Sequence, residues 1–234
     1  MLVRSAIPRS WLDHLEDGPC GIGMDIATTD GPNSNPASIT VSQLTGGKVY
    51  ERLILSWKTR DEAVATAMLS TVVLDLVSVN AAIKGGSIDA SNETFFAQRL
   101  AKLLSAHCRF QLLKGNELVT FQGATLPSKE MLGNLYVNAH TDGILCSPEA
   151  PFCKEDRRLV QKQKGKFVTL TGKGGKHGDT FDSGKHARWA LLSNGPAEIA
   201  AVSISTLGTA PSKFNRTAED EDSVGFGEVL GLSC

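Results

Sequence analysis

The feature that most constrains this chain is an aspartate set inside an apolar run. In PCGIGMDIATT (Pro19–Thr29), Asp25 lies among Ile22, Met24, Ile26 and Ala27. The run reads as a buried strand ending in a polar turn. A carboxylate there is costly unless it is paired or binds a cation. The fold must therefore bring a partner to Asp25.

The following segments build a sheet around it. DGPNSNP (Asp30–Pro36) is turn chemistry, and SITVSQL alternates as a second strand. Gly46 and Gly47 turn the chain into VYERLILSW, a third strand, completing an antiparallel meander. Residues 60–83 carry apolar positions at helical spacing, and Gly85 and Gly86 read as the end of that helix. A short strand SIDA, a helix NETFFAQRLAKLLSA and a strand CRFQLLKG follow. Next come a helix SKEMLGNLYVNAHTDG, a helix KEDRRLVQKQ, a strand KFVTLTG and a helix GDTFDSGKHARWALLSN. AEIAAVSIST after Pro196 could be strand or helix. The expected architecture is α/β, a mixed sheet of three antiparallel strands then parallel strands, with helices on both faces. This order resembles the ribonuclease H-like fold. The expected organisation is a lead-in at 1–17, one domain at 18–206 and a flexible tail at 207–234.

A second acid, Asp89, ends the short strand SIDA, and Asp179 and Asp182 share one face at the start of the last helix. Carboxylates at strand ends and a helix start can meet at one sheet edge. Their mutual repulsion is relieved by divalent cations, and an oxygen-only donor set suits Mg²⁺ or Mn²⁺. Two such ions about 4 Å apart can drive phosphodiester hydrolysis without a protein nucleophile. His177 stands just before the acidic pair, where it could orient water, assist leaving-group protonation or take a metal edge. Taken singly, each aspartate could equally be a helix cap or turn former. Glu93 is read as stabilising its helix N-terminus, with a fourth-ligand role as the alternative.

The net charge of −1 does not announce a nucleic-acid binder, so local charge must carry that argument. Residues 154–188 hold ten basic and four acidic residues. The expected DNA contacts are Lys162, Lys164, Lys166, Lys173 and Lys176, forming a basic rim beside an acidic site. TGKGGKHG lacks the spacing of a Walker phosphate loop. The five cysteines have no C-x-x-C pair and are read as reduced thiols in a cytosolic protein. No apolar run approaches a membrane span.

GIGMDIATT, IDASNE and HGDTFDSGKHARWAL, in that order, resemble the nuclease domain of tailed-phage terminase large subunits, over about residues 18–193. The resemblance implies an endonuclease that cuts concatemeric viral DNA at packaging with paired Mg²⁺ or Mn²⁺. Asp25 and Asp89 match the first two acids. The third falls in HGDTFD, on Asp182 in preference to Asp179. The ATPase motor of a complete large subunit is absent, which implies an excised C-terminal domain or a separately encoded nuclease. Implied partners are double-stranded DNA, the motor domain, the small terminase subunit and the portal, in the cytoplasm of an infected bacterium. The alternatives are another ribonuclease H-like nuclease, such as a resolvase or transposase core, an actin-like or sugar-kinase ATP-binding domain, and a non-catalytic relic that only docks onto DNA or capsid protein.

Overall fold

The computed structural model of the chain describes residues 7–28, 31, 34–172 and 177–193. Lys173, Lys176, the AEIAAVSIST segment and the C-terminal tail lie outside the described residues.

The expected meander is present. Strand β1 (Cys20–Asp25) pairs antiparallel with β2 (Ala37–Thr45), which pairs antiparallel with β3 (Lys48–Trp57). Strand β4 (Ile83–Asp89) joins the other edge of β1 in parallel, and β5 (Phe110–Leu113) adds to β4 in parallel. Strand β8 (Leu145–Cys146) extends the sheet beyond β3, giving the order β5-β4-β1-β2-β3-β8. Two hairpins stand apart, β6 (Leu118–Phe121) with β7 (Ala124–Pro127), and β9 (Val160–Gln163) with β10 (Lys166–Thr169).

The central strand has two chemically different faces, because successive side chains alternate. Cys20, Ile22 and Met24 of β1, with Ile39 and Val41 of β2 and Ile88 of β4, enter the larger core. That core also takes Leu69, Val72, Val73 and Leu76 of α1 (Glu62–Ser78), and Phe96, Ala97 and Leu100 of α2 (Thr94–Leu103). Full burial of each such aliphatic side chain stabilises by about 1.5–3 kcal/mol. Ile7 and Trp11 belong to the same core, so the chain before β1 packs onto the domain through a 3-10 turn at Arg9–His14.

The opposite face of β1 carries Gly21, Gly23 and Asp25, and helix α5 (Asp179–Ser193) lies across it. Helix α3 (Ser128–Thr141) packs beside α5 through Tyr136 and Phe181, whose rings meet edge-on at 5.2 Å between centroids. Helices therefore cover both faces, and the mixed sheet is as expected.

Three local expectations are corrected. Gly85 and Gly86 do not stop a helix. They lie within β4, where Gly86 leaves room for the Phe110 ring, which a Cβ would meet at 2.2 Å. Helix α1 ends earlier, at Ser78, and Asn80 turns the chain with φ 54°. KEDRRLVQKQ is not one helix: α4 spans Pro151–Arg157, and VQKQ is strand β9, whose turn uses Lys164 and Gly165 at positive φ. Cys20, Cys108 and Cys153 are reduced, whereas Cys146 is disulfide-bonded, against the expectation for that residue. Among the described residues, no helix is long and apolar enough to cross a membrane.

Candidate active site

Asp25 and Asp89 are direct partners in the parallel register of β1 and β4. They therefore occupy the same level and face at the ends of two adjoining parallel strands. The next strand contributes Ser38 opposite Asp25 and Thr40 opposite Gly23. This polar strip on a central sheet is covered by the first turns of α5, which carry Asp179 and Asp182. All four predicted acids thus converge on one end of the sheet.

Close approach of α5 depends on the small residues beneath it. Ser183 sits between Ser38 and Thr40, with Oγ–Oγ distances of 2.9 and 2.8 Å. Both hydroxyl contacts are buried and satisfied inside the protein, as buried polar groups require. The start of α5 is held from α4. One carboxylate oxygen of Asp156 accepts the Gly178 N–H at 3.0 Å, and the other accepts the Thr180 N–H and Oγ–H, each at 2.7 Å. Gly178 turns into the helix at φ 80°, where a Cβ would strike Val160 at 2.3 Å.

The electrostatics of the four acids differ. Burial pushes the Asp25 carboxyl well above the ordinary range, and the charges of Asp182, Asp89 and Asp179 push it further, while Lys185 opposes them. Burial also raises Asp179, with the charge of Asp156 next, to about 7. Asp179 Oδ2 accepts the backbone N–H of His177 at 3.3 Å, so this acid is turned toward the helix entrance. Burial opposes the charge of Asp89, but the neighbouring His186, with Lys185 and Ser91, holds it below the usual range. One Asp89 oxygen accepts the Ser91 N–H at 2.9 Å, so the turn-forming reading of this residue holds for one of its two oxygens. Asp182 is the most accessible of the helix acids, its side chain 22% exposed, and it pairs with Lys185.

Several residues of the site went unassigned in the sequence. His186 Nδ1 is hydrogen-bonded to Ser87 Oγ at 2.7 Å, and its Nε2 lies 3.8 Å from Asp89 Oδ2. Ser87 and Asp89 stand two apart on β4, so His186 spans them. Its i,i+4 spacing from Asp182 was the available signal. Asp156 was counted only as one acid within a basic stretch. His177 meets the site through its backbone N–H. Glu93 does not cap α2 with its side chain; its carboxylate accepts the Thr28 hydroxyl instead.

Three of the five lysines expected to contact DNA are among the described residues. Lys162, Lys164 and Lys166 are exposed on the β9–β10 hairpin. Arg157, Arg188 and Lys185 are interior groups, each no more than 3% exposed. Arg157 forms a two-oxygen ion pair with Glu51 on β3, at 2.9 and 3.1 Å. Burial lowers Arg188 to about 10.

A divalent cation fits this donor set on charge grounds: four carboxylates crowd one end of the sheet, and the inner one carries a strongly disfavoured charge. Among the described residues, no three acids, histidines or cysteines already stand as a metal-binding group. A buried ammonium, Lys185, takes up Asp182 instead.

No family model matches the chain, and no curated protein matches it. Solved structures do. The chain is similar to the large terminase nuclease from thermophilic phage G20c, with TM-score 0.52 and 18% identity over 73% of this chain and 81% of that one. A structure of that nuclease with bound magnesium gives TM-score 0.51 and 17% identity over 75% and 82%. The large terminase of a second thermophilic bacteriophage, in complex with ADP, gives TM-score 0.50 and 12% identity, over 82% of this chain and 45% of that one. The chain has the fold of these terminase nuclease structures and spans under half of the ADP-bound terminase.

Proposed function

We propose that this chain is a metal-dependent DNA endonuclease of the large-terminase kind, cutting concatemeric viral DNA during genome packaging. The observation that carries the reading is the pairing of Asp25 with Asp89 in register, beneath the acidic first turns of α5. The fold shared with terminase nucleases supports it.

Asp25, Asp89 and Asp182 would hold the cations, Mg²⁺ or Mn²⁺, as a pair. Bound there, divalent ions would lower the pKa of an attacking water and stabilise the leaving oxygen of the phosphodiester. Asp182 is favoured over Asp179 because it bears more strongly on Asp25 and is more open to solvent. Asp179 is the neighbouring or alternate ligand, with His177 at the site's entrance to orient water, assist leaving-group protonation or take a metal edge. His186 stands beside Asp89 and helps to favour its carboxylate form, with Ser87 fixing its ring. Lys162, Lys164 and Lys166, with Lys173 and Lys176 beyond them, hold the phosphates. The ATPase motor, small terminase subunit and portal are the partners of this reading, and the cytoplasm of an infected bacterium is its setting.

The test is nicking and linearisation of supercoiled plasmid with Mn²⁺, Mg²⁺ or EDTA, comparing the wild type with Asp25→Ala. Cleavage that needs metal and disappears in a folded Asp25→Ala protein supports the reading. A well-folded wild type that leaves DNA intact with every metal rejects it.

A further inference from the structure

Lys185 is a charged residue on α5 with almost no exposure, 3%. A lysine that is buried ordinarily keeps its head in solvent by extending its stem. This one does not. Its Nζ pairs with Asp182 one helical turn back and lies 5.9 Å from the centroid of the Phe181 ring. Burial opposes the ammonium charge, but Asp182 and then Asp89 hold it, with Asp25 adding to them. The ammonium therefore pairs with one of the carboxylates that the proposed chemistry requires for metal and is held by the charges of the other two. Asp89 has a separate partner in His186, whereas the register neighbour of Asp25 is the like-charged Asp89, which does not relieve its charge. Asp182 is the acid whose charge Lys185 directly takes up.

We propose that Lys185 is a tethered cation that competes with the divalent metal for Asp182. This inference rests on the metal-site reading above and adds a regulatory element to it. The pair keeps the acid cluster compact and partly neutral before metal enters. Metal binding at Asp182 then requires the ammonium to leave that carboxylate. Being enclosed, it can move only toward other groups of the site, not freely into water. The competition sets a threshold, so the cation site fills at a higher metal concentration than the bare carboxylates would require.

The test is calorimetric titration with Mn²⁺ alone, together with the Mn²⁺-induced rise in melting temperature, for wild type, Lys185→Met and Lys185→Arg. Lys185→Met removes the competing charge and keeps the stem. It should bind Mn²⁺ about tenfold more tightly or better, and should gain more in melting temperature on Mn²⁺ addition. Lys185→Arg keeps the charge and should bind like the wild type. If Lys185→Met does not fold without metal, Lys185→Gln takes its place in the same titration. Unchanged or weaker Mn²⁺ binding by the folded neutral variant overturns the competition while leaving the metal site intact. Binding by neither the wild type nor the neutral variant overturns the metal reading and this inference with it.

Discussion

Gly23 lies so close beneath α5 that a Cβ on it would stand 2.0 Å from the carbonyl oxygen of Ser183. It would also stand 2.2 Å from the Ala187 nitrogen, so backbone, not a flexible side chain, blocks it on both sides. Gly23→Ala must push the helix off the sheet or bend β1. The same movement would separate Asp182 from Asp25. We expect a loss of about 3 kcal/mol or more, read by urea denaturation, with cleavage lost in step. A variant of near-native stability would show that α5 is not seated as described.

The entrance of α5 depends on Asp156, which accepts from Gly178 and from Thr180 twice. Asp156→Ala leaves these buried donors unpaired, and we expect it to cost about 2–4 kcal/mol. Asp156→Asn keeps one acceptor oxygen and should cost about half as much. Chemical denaturation of the pair reads the difference. Equal, small losses would mean that the helix start is held by other contacts.

His140 gives the stability a pH dependence of its own. Burial, with Arg157 adding, lowers it from 6.5 to about 4, although Glu51 opposes. The charged groups facing it are Glu51 of β3 and Arg157 of α4, and the Tyr136 ring meets it edge-on at 4.9 Å between centroids. A histidine whose folded pKa is depressed contributes stability that is present above its unfolded pKa. That contribution is lost as pH falls from about 6.5 toward 4. At pH 5 the loss should reach about 2 kcal/mol. His140→Gln should remove this contribution, so its melting temperature should fall less than that of the wild type between pH 7 and pH 5. Parallel curves for the two proteins would contradict the assignment.

The sheet and the acids were legible in the sequence because both leave local marks. Alternation in PCGIGMD exposes the strand, and Asp25 stands out against its apolar neighbours. The purpose of Gly21 and Gly23 was not legible, since it lies in a helix more than 150 residues away in sequence. His186 was missed for the same reason: its partner Ser87 is 99 residues distant. Gly85 and Gly86 carried a stop signal that tertiary packing overrode, because Gly86 makes room for Phe110. The β6–β7 hairpin escaped because its strands are four residues each, with Gln122 and Gly123 at positive φ as their only strong turn mark. Charge counting failed at Arg157, Arg188 and Lys185, since a basic residue in a charged run looks the same whether it faces solvent or an internal carboxylate.

Among the described residues, the expected DNA contacts all lie on the β9–β10 hairpin. Lys164 and Lys166 are exposed there, and Lys162 donates to Asn134 Oδ1 at 3.0 Å while remaining exposed. Contacts with phosphate release counterions, and each contributes about 0.9 to the slope of log affinity against log salt on duplex DNA. Lys164→Gln with Lys166→Gln should therefore weaken duplex binding and flatten that slope by about 1–2. Fluorescence anisotropy at several salt concentrations, in an Asp25→Ala background without metal, reads this apart from cleavage. The loss should be similar for duplexes of unrelated sequence, because phosphate contacts carry no base information. An unchanged slope would place the DNA path away from the hairpin.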